Sequence, residues 1–182
     1  MIKNKADLKA YLGRDMAFYH ALPAKTRFLC RLLQDPLYLM VRYVRYLRLE
    51  EYHANAPRSL WHTLCSFWML RRKNVLGNRL GFKIPRNCIG PGLMIYHHGM
   101  VIVNENARIG ENCSFHGGNC IGNNGKTEAA PVIGDGLDLG IGACVIGDVT
   151  LGNHVKVGAN AVVTRSAQGD GITLVGIPAR MK

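Results

Sequence analysis

Ile133-Gly134-Asp135-Gly136-Leu137-Asp138-Leu139-Gly140-Ile141-Gly142-Ala143-Cys144-Val145 decides the fold. It opens a beat of six that continues through Leu151 and Val157 to Val163. Glycine follows four of these aliphatics, at Gly134, Gly140, Gly152 and Gly158. Four places after the first five stand Leu137, Ala143, Val149, Val155 and Ala161, all apolar and mostly small. A period of six fits neither a helix nor an ordinary strand. It fits a solenoid that buries one large aliphatic per short strand and turns on small residues, as hexapeptide β-helix repeats do.

The beat extends upstream. Ile89, Ile95 and Val101 form one set of three; after two extra residues, Ile109, Phe115 and Ile121 form a second. Three hexads make one triangular coil, so the sets predict about four coils, dissolving after Val163. The gap from Ile121 to Ile133 is twice the repeat. It holds Asn123-Asn124-Gly125-Lys126-Thr127-Glu128-Ala129-Ala130-Pro131, a polar, turn-rich stretch,. This reads as a loop, 123–131, extruded from a corner while the stack stays in phase.

The 182 residues carry a formal net charge of +11, unevenly placed. Through Arg86 there are 17 Lys and Arg against 5 Asp and Glu; from Asn87 onward there are 6 against 7. The first part reads helical. Asp7 to Leu12 begins a segment that Pro23 breaks, and a second runs to about Gln34. Asp35-Pro36 starts a third, with an acid cap and a proline in the first turn. Ser59 caps a fourth, which Gly77 and Gly81 close. The expected organisation is a basic helical domain over 1–82 and a β-helix over 83–182. A solenoid end exposes unpaired backbone, so the helices would cap it or join subunits.

Arg42, Arg45 and Arg48 recur every three residues, which puts them along one helix side as a solvated face,. A second reading is a basic, aromatic surface for anionic lipid at the inner face of a membrane. No nucleic-acid motif accompanies the charge. The six cysteines form no CxxC pair and no zinc-like spacing, so no metal is expected and the thiols read as free,. Cys113, Cys120 and Cys144 read as small fillers of the solenoid. No secretory signal and no long apolar run is evident, and the expected location is the cytoplasm.

Among seven histidines, His20, His53, His62 and His154 read as structural or surface residues. His97 and His98 sit in Gly92-Leu93-Met94-Ile95-Tyr96-His97-His98-Gly99. Ile95 points inward, so His97 stands near a corner, where it is either a general base or an exposed corner residue. His116 on the next coil flanks the same face or is structural. Lys126, Arg165 and Arg180 are phosphate-contact candidates or ordinary solvated cations.

Gly92 to Asn104, the hexads, and the closing Val175-Gly176-Ile177-Pro178-Ala179-Arg180 resemble the serine acetyltransferase branch of the hexapeptide acyltransferases. The resemblance covers about Ile84 to Lys182. It implies a left-handed parallel β-helix, trimeric assembly and acetyl-CoA as donor. It places the catalytic histidine at His97. It places the coenzyme groove between subunits, near Gly142, Ala143, Ala159, Gly176, Pro178 and Arg180. Lys126 and Arg165, the nearest cations by their own chemistry, are expected at the coenzyme as well,. Four departures stand out. Phe82 and Tyr96 replace the aspartate fifteen residues before the histidine and the acid next to it. Ala129-Ala130 replaces Arg-His in the loop, which is two residues shorter.

Those charged groups would hold an amino acid's ammonium and carboxylate. Their loss points to an uncharged acceptor, with Phe82, Tyr96, His98 and His116 lining its site. The expected activity is acetyl-CoA-dependent O-acetylation of a sugar of a surface polysaccharide. The alternatives are a serine O-acetyltransferase and a non-catalytic β-helix scaffold. The expected assembly is a homotrimer, with pairing of trimers left open.

Overall fold

The computed structural model describes residues 1–182. Five helices come first: α1 Lys5–Asp15, α2 Ala17–Ala21, α3 Ala24–Leu32, α4 Pro36–Asn55 and α5 Leu60–Leu80. Asn4, Asp35 and Ser59 cap α1, α4 and α5 by accepting from the N–H groups of Asp7, Leu37 and His62,. Met16 splits the expected first segment into α1 and α2. Gly81 closes α5 at φ +80°,. Gly77 does not close it. It lies inside the helix, where a Cβ would come within 2.5 Å of the Phe82 carbonyl and 3.0 Å of the Tyr43 ring.

Fourteen short strands then build a three-sided solenoid. The first face stacks β1 (Phe82–Lys83), β3 (Val101–Val103), β6 (Asn119–Gly122), β9 (Cys144–Ile146) and β12 (Val162–Val163). The second stacks β4 (Arg108–Ile109), β7 (Val132–Ile133) and β10 (Thr150–Leu151). The third runs through β2 (Met94–Ile95), β5 (Ser114–Phe115), β8 (Asp138–Leu139), β11 (Lys156–Val157), β13 (Thr173–Gly176) and β14 (Ala179–Met181). All pairs are parallel except the β13–β14 hairpin. The rungs fall in line as the beat predicts: Ile95, Phe115, Leu139 and Val157 stack on the third face, and Ile109, Ile133 and Leu151 on the second. Ile109 pairs directly with Ile133, so the loop between them leaves the stack in phase.

Two details differ from the sequence reading. Val103, not Val101, pairs with Ile121. The two extra residues therefore lie between Ile95 and Val103, at the corner that carries His97. The stack also outlasts Val163: Ala167 bridges to Leu151 and Leu174 pairs with Val157. Their irregular spacing hides this partial fifth coil from a period of six.

The expected solvated arginine face is corrected at Arg48, which is fully buried. Its Nε lies 2.7 Å from Asp15 and its Nη1 3.0 Å from Glu51. It also donates to the carbonyls of Ile89 and Gly90 at 2.8 and 2.6 Å. Asp15 in turn accepts from the N–H groups of Gly92 and Leu93. Lys73, held by Glu50, donates to the Ile84 carbonyl. These groups satisfy the polar backbone at the open end of the first coil, which would otherwise be buried unpaired. Arg48 is thus a structural cation that joins helices to solenoid.

The cysteine reading holds for Cys113, which is fully buried, and fails for two others. Cys120 and Cys144 are half-buried register partners on the outer surface of the first face. Ile102, Ile146 and Val162 lie on that same outer surface. No helix is long and apolar enough to cross a membrane.

Candidate active site

The site is built on the corner between the third and first faces. Tyr96, His97 and His98 follow β2 there and are all exposed. Parallel register puts Tyr96 over His116 and His97 over Gly117. A Cβ on Gly117 would lie 3.4 Å from the Cβ of His97, at the limit of ordinary contact, and Gly117 itself has φ +104°. Glycine at 117 thus serves the turn, whose positive φ strains any other side chain, while His97 packs over it at ordinary contact distance,.

Beneath His97 the corner continues coil by coil. Gly142 donates to the Gly117 carbonyl at 2.9 Å. Asn160 stands under Gly142, so close that a Cβ on the glycine would strike its side-chain oxygen. Ala159 is exposed beside it, and Val175 packs against Gly158. The hairpin with Gly176, Pro178 and exposed Arg180 extends the same edge. Ile141 and Ile177 are exposed along it, 56% and 73%. The corner is therefore a run of small residues with open backbone and an apolar rim. Such a run admits a long ligand close to the main chain.

Buried Asn119 holds this turn in shape. Its Oδ1 accepts from the Gly117 N–H at 2.9 Å, and its Nδ2 donates to the Gly140 and Ala143 carbonyls at 2.8 and 3.2 Å. Ala143 is fully buried, with both backbone polar groups engaged within the turn. It shapes the corner from inside.

One histidine ring is paired with a carboxylate, and it is His116. Its Nε2 lies 2.9 Å from Asp138 Oδ1. Its face is stacked on Tyr96, centroids 4.6 Å apart and planes 18° apart. β2 is the edge strand of its sheet, so no solenoid rung covers the other face of Tyr96. Tyr96, His97, His98 and His116 thus come together. Phe82 does not join them: it is buried, its ring edge-on to Tyr43 at 5.2 Å. Lys126 and Arg165 do not join them either. Lys126 lies in the loop after β6 and Arg165 just after β12, both at the corner where the first face ends.

Two contributors were absent from the sequence reading, Asn119 and Asp138. Asn119 carried a usable signal, a polar residue at an inward-facing strand position. Asp138 carried none, because it is one of several acids between rungs. Thiol chemistry has no support here: burial pushes the Cys113 thiol up to about 11, and Cys120 is also raised, first by burial and then by Cys144,. No cluster of three or more His, Cys, Asp or Glu is arranged to hold a metal.

No protein-family model matches the chain. Individual proteins do. Over 136 residues it is 37% identical to a colanic acid biosynthesis acetyltransferase of Escherichia coli K12, covering 65% of this chain and 82% of that protein. Over 95 residues it is 35% identical to a serine acetyltransferase of Synechococcus elongatus, covering 51% of this chain but only 38% of that one. Among solved structures, the soybean serine acetyltransferase apoenzyme superposes with a TM-score of 0.75 at 26% identity, over 98% of this chain and 70% of that chain. A serine acetyltransferase complex with CoA gives 0.71 at 25% identity, over 98% and 71%.

Proposed function

Because the chain belongs to the serine acetyltransferase-like branch of the hexapeptide-repeat acyltransferases, with their left-handed parallel β-helix, we propose that it is an acetyl-CoA-dependent O-acetyltransferase acting on a sugar. The observation that carries this reading is the His97 corner. An exposed imidazole stands at the head of a glycine-lined edge, beside an aromatic ring, and the one carboxylate there, Asp138, is taken up by His116.

His97 takes the proton of the acceptor hydroxyl as that oxygen attacks the thioester carbon. The C–S bond breaks, and the proton passes to the departing thiolate. Open N–H groups of the corner stabilise the oxyanion. Gly142, Ala159 and the Gly176–Arg180 hairpin receive the coenzyme. A serine would need partners for its ammonium and carboxylate on desolvation. Tyr96, Ala129 and Ala130 offer none. A sugar needs a flat face and hydrogen bonds, which Tyr96, His98 and His116 offer.

The working unit is a homotrimer. Lys126 and Arg165 stand at a different corner from Gly142 and Ala159, so one groove can contain both sets only when two copies share it. The apolar outer surface of the first face, from Ile102 to Val162, supports such packing,. The enzyme works in the cytoplasm at the inner face of the membrane. Exposed Trp61, Leu64, Phe67 and Trp68 on α5, with Arg72 4.7 Å over the Trp68 ring, support that placement,.

The test is thiol release from acetyl-CoA with L-serine, monosaccharides, and nucleotide- or lipid-linked sugars as acceptors. Turnover on a sugar and little on serine is expected. Efficient turnover on serine with every sugar inert would restore the amino-acid reading. No turnover on anything would favour a scaffold. Native mass spectrometry reads the trimer, and an active monomer at nanomolar concentration would refute the shared groove.

A further inference from the structure

The helical part spends every carboxylate it has on internal contacts. Asp15 and Glu51 hold Arg48, and Glu50 holds Lys73 and Arg86. Asp7 and Asp35 accept from the backbone N–H groups of Lys3 and Leu37. What remains on its surface is cationic. Five of these cations, Lys5, Lys9, Arg31, Arg42 and Arg45, surround one groove of about 970 Å³ among α1, α2, α3 and α4. No Asp or Glu lines it, and none of the five is in a salt bridge.

The groove is not merely charged. Leu12, Met16, Val41 and Leu49 give it an apolar floor. Arg42 is fixed in place: its Nε donates to the Tyr46 hydroxyl at 2.8 Å, and its guanidinium lies 5.4 Å from that ring. A neighbouring hollow of about 450 Å³ shares Tyr19, Tyr38, Arg31 and Arg45, and extends the surface to the exposed Phe28 ring.

Like charges gathered without partners repel one another and are relieved by a polyanion. Planar guanidinium groups suit phosphate oxygens. An aliphatic floor beneath them suits hydrocarbon, which a free phosphate lacks. The volume is at the upper end of small-ligand sites.

We propose that this groove binds the phosphate end of an anionic lipid, with the cations on the phosphate and the first stretch of hydrocarbon along the apolar floor. Its bearing on activity rests on the sugar-acceptor reading above: a sugar carried on a lipid phosphate is held here while its hydroxyl reaches His97. Tyr19 links the two places. It lines the groove, and with Asp15 and Phe18 it lines a small hollow over Met94 and Ile95, the strand that leads into Tyr96 and His97.

Calorimetric titration of the full chain with farnesyl diphosphate, and separately with inorganic pyrophosphate, reads the groove without turnover. Farnesyl diphosphate is expected to bind at least ~10-fold more tightly than pyrophosphate, because only it reaches the floor. The double variant Arg42→Gln/Arg45→Gln is expected to weaken it by ~10-fold or more while keeping the melting temperature. No binding, equal binding of pyrophosphate, or unchanged binding in the variant would each overturn the assignment. So would displacement by a single-stranded oligonucleotide, which would mark a nucleic-acid surface. A change of oligomeric mass in the variant, without effect of lipid, would assign the groove to a subunit contact instead. A protein that binds farnesyl diphosphate yet acetylates no sugar would refute the acceptor reading and leave the groove standing.

Discussion

Asp138 Oδ1 lies 2.9 Å from Nε2 of His116 and fixes a ring that lies flat against Tyr96. The acid stands on the next coil, so that coil orients the side chain above it. This gives the outer face of Tyr96 a defined plane beside His97. Asp138→Ala is expected to raise KM for the acceptor several-fold, with KM for acetyl-CoA unchanged. Asp138→Asn keeps an oxygen that can accept and should recover part of the loss. Equal shifts in both KM values would show general damage and exclude a positioning role.

His97→Ala is expected to lower turnover by at least ~10², as loss of a general base does, and to leave the native mass unchanged. His98→Ala should cost far less. If the His98 variant is inactive and the His97 variant active, the base has been assigned to the wrong residue.

Arg48→Met removes one partner from a buried cluster and leaves Asp15 and Glu51 facing each other without it. A loss of ~3–5 kcal/mol in folding stability is expected from urea denaturation. The loss should fall on both parts of the chain together, because Arg48 and Asp15 bind the first coil directly. A variant that loses less than about 1 kcal/mol would show that the cluster adds nothing.

Alkaline pH should destabilise the fold. Burial pushes the Tyr43 hydroxyl up to about 12, and the Cys88 and Cys113 thiols up to about 11. These groups hold their protons more tightly folded than unfolded. Their contribution is complete below the ordinary values, 9.0 for the thiols and 10.0 for the phenol, and is lost as pH rises through the folded values,. Urea midpoints measured from pH 8 to 11 are expected to fall, and Cys113→Ala should make the fall shallower. A flat profile in the parent protein would contradict this linkage.

The period of six was legible because it is a local property. Each coil repeats the same inward position, so Ile133, Leu139 and Val145 announce their burial without knowledge of any partner. The caps at Asp35 and Ser59 were legible for the same reason, since each acts within three residues. His97 stood out through its place beside an inward rung. Other features depend on residues that meet only after the chain has coiled. Arg48 looked like one more cation of a solvated stripe until Asp15, Ile89 and Gly90 surrounded it. Asp138 reaches His116 across 22 residues, and Asn119 reaches Ala143 across 24, which is the length of one coil and its insertions. The register of Val103 on Ile121 moved the two-residue insertion to the His97 corner. A one-dimensional beat counts such an insertion but cannot say on which side of a rung it falls, because backbone pairing between coils makes that choice.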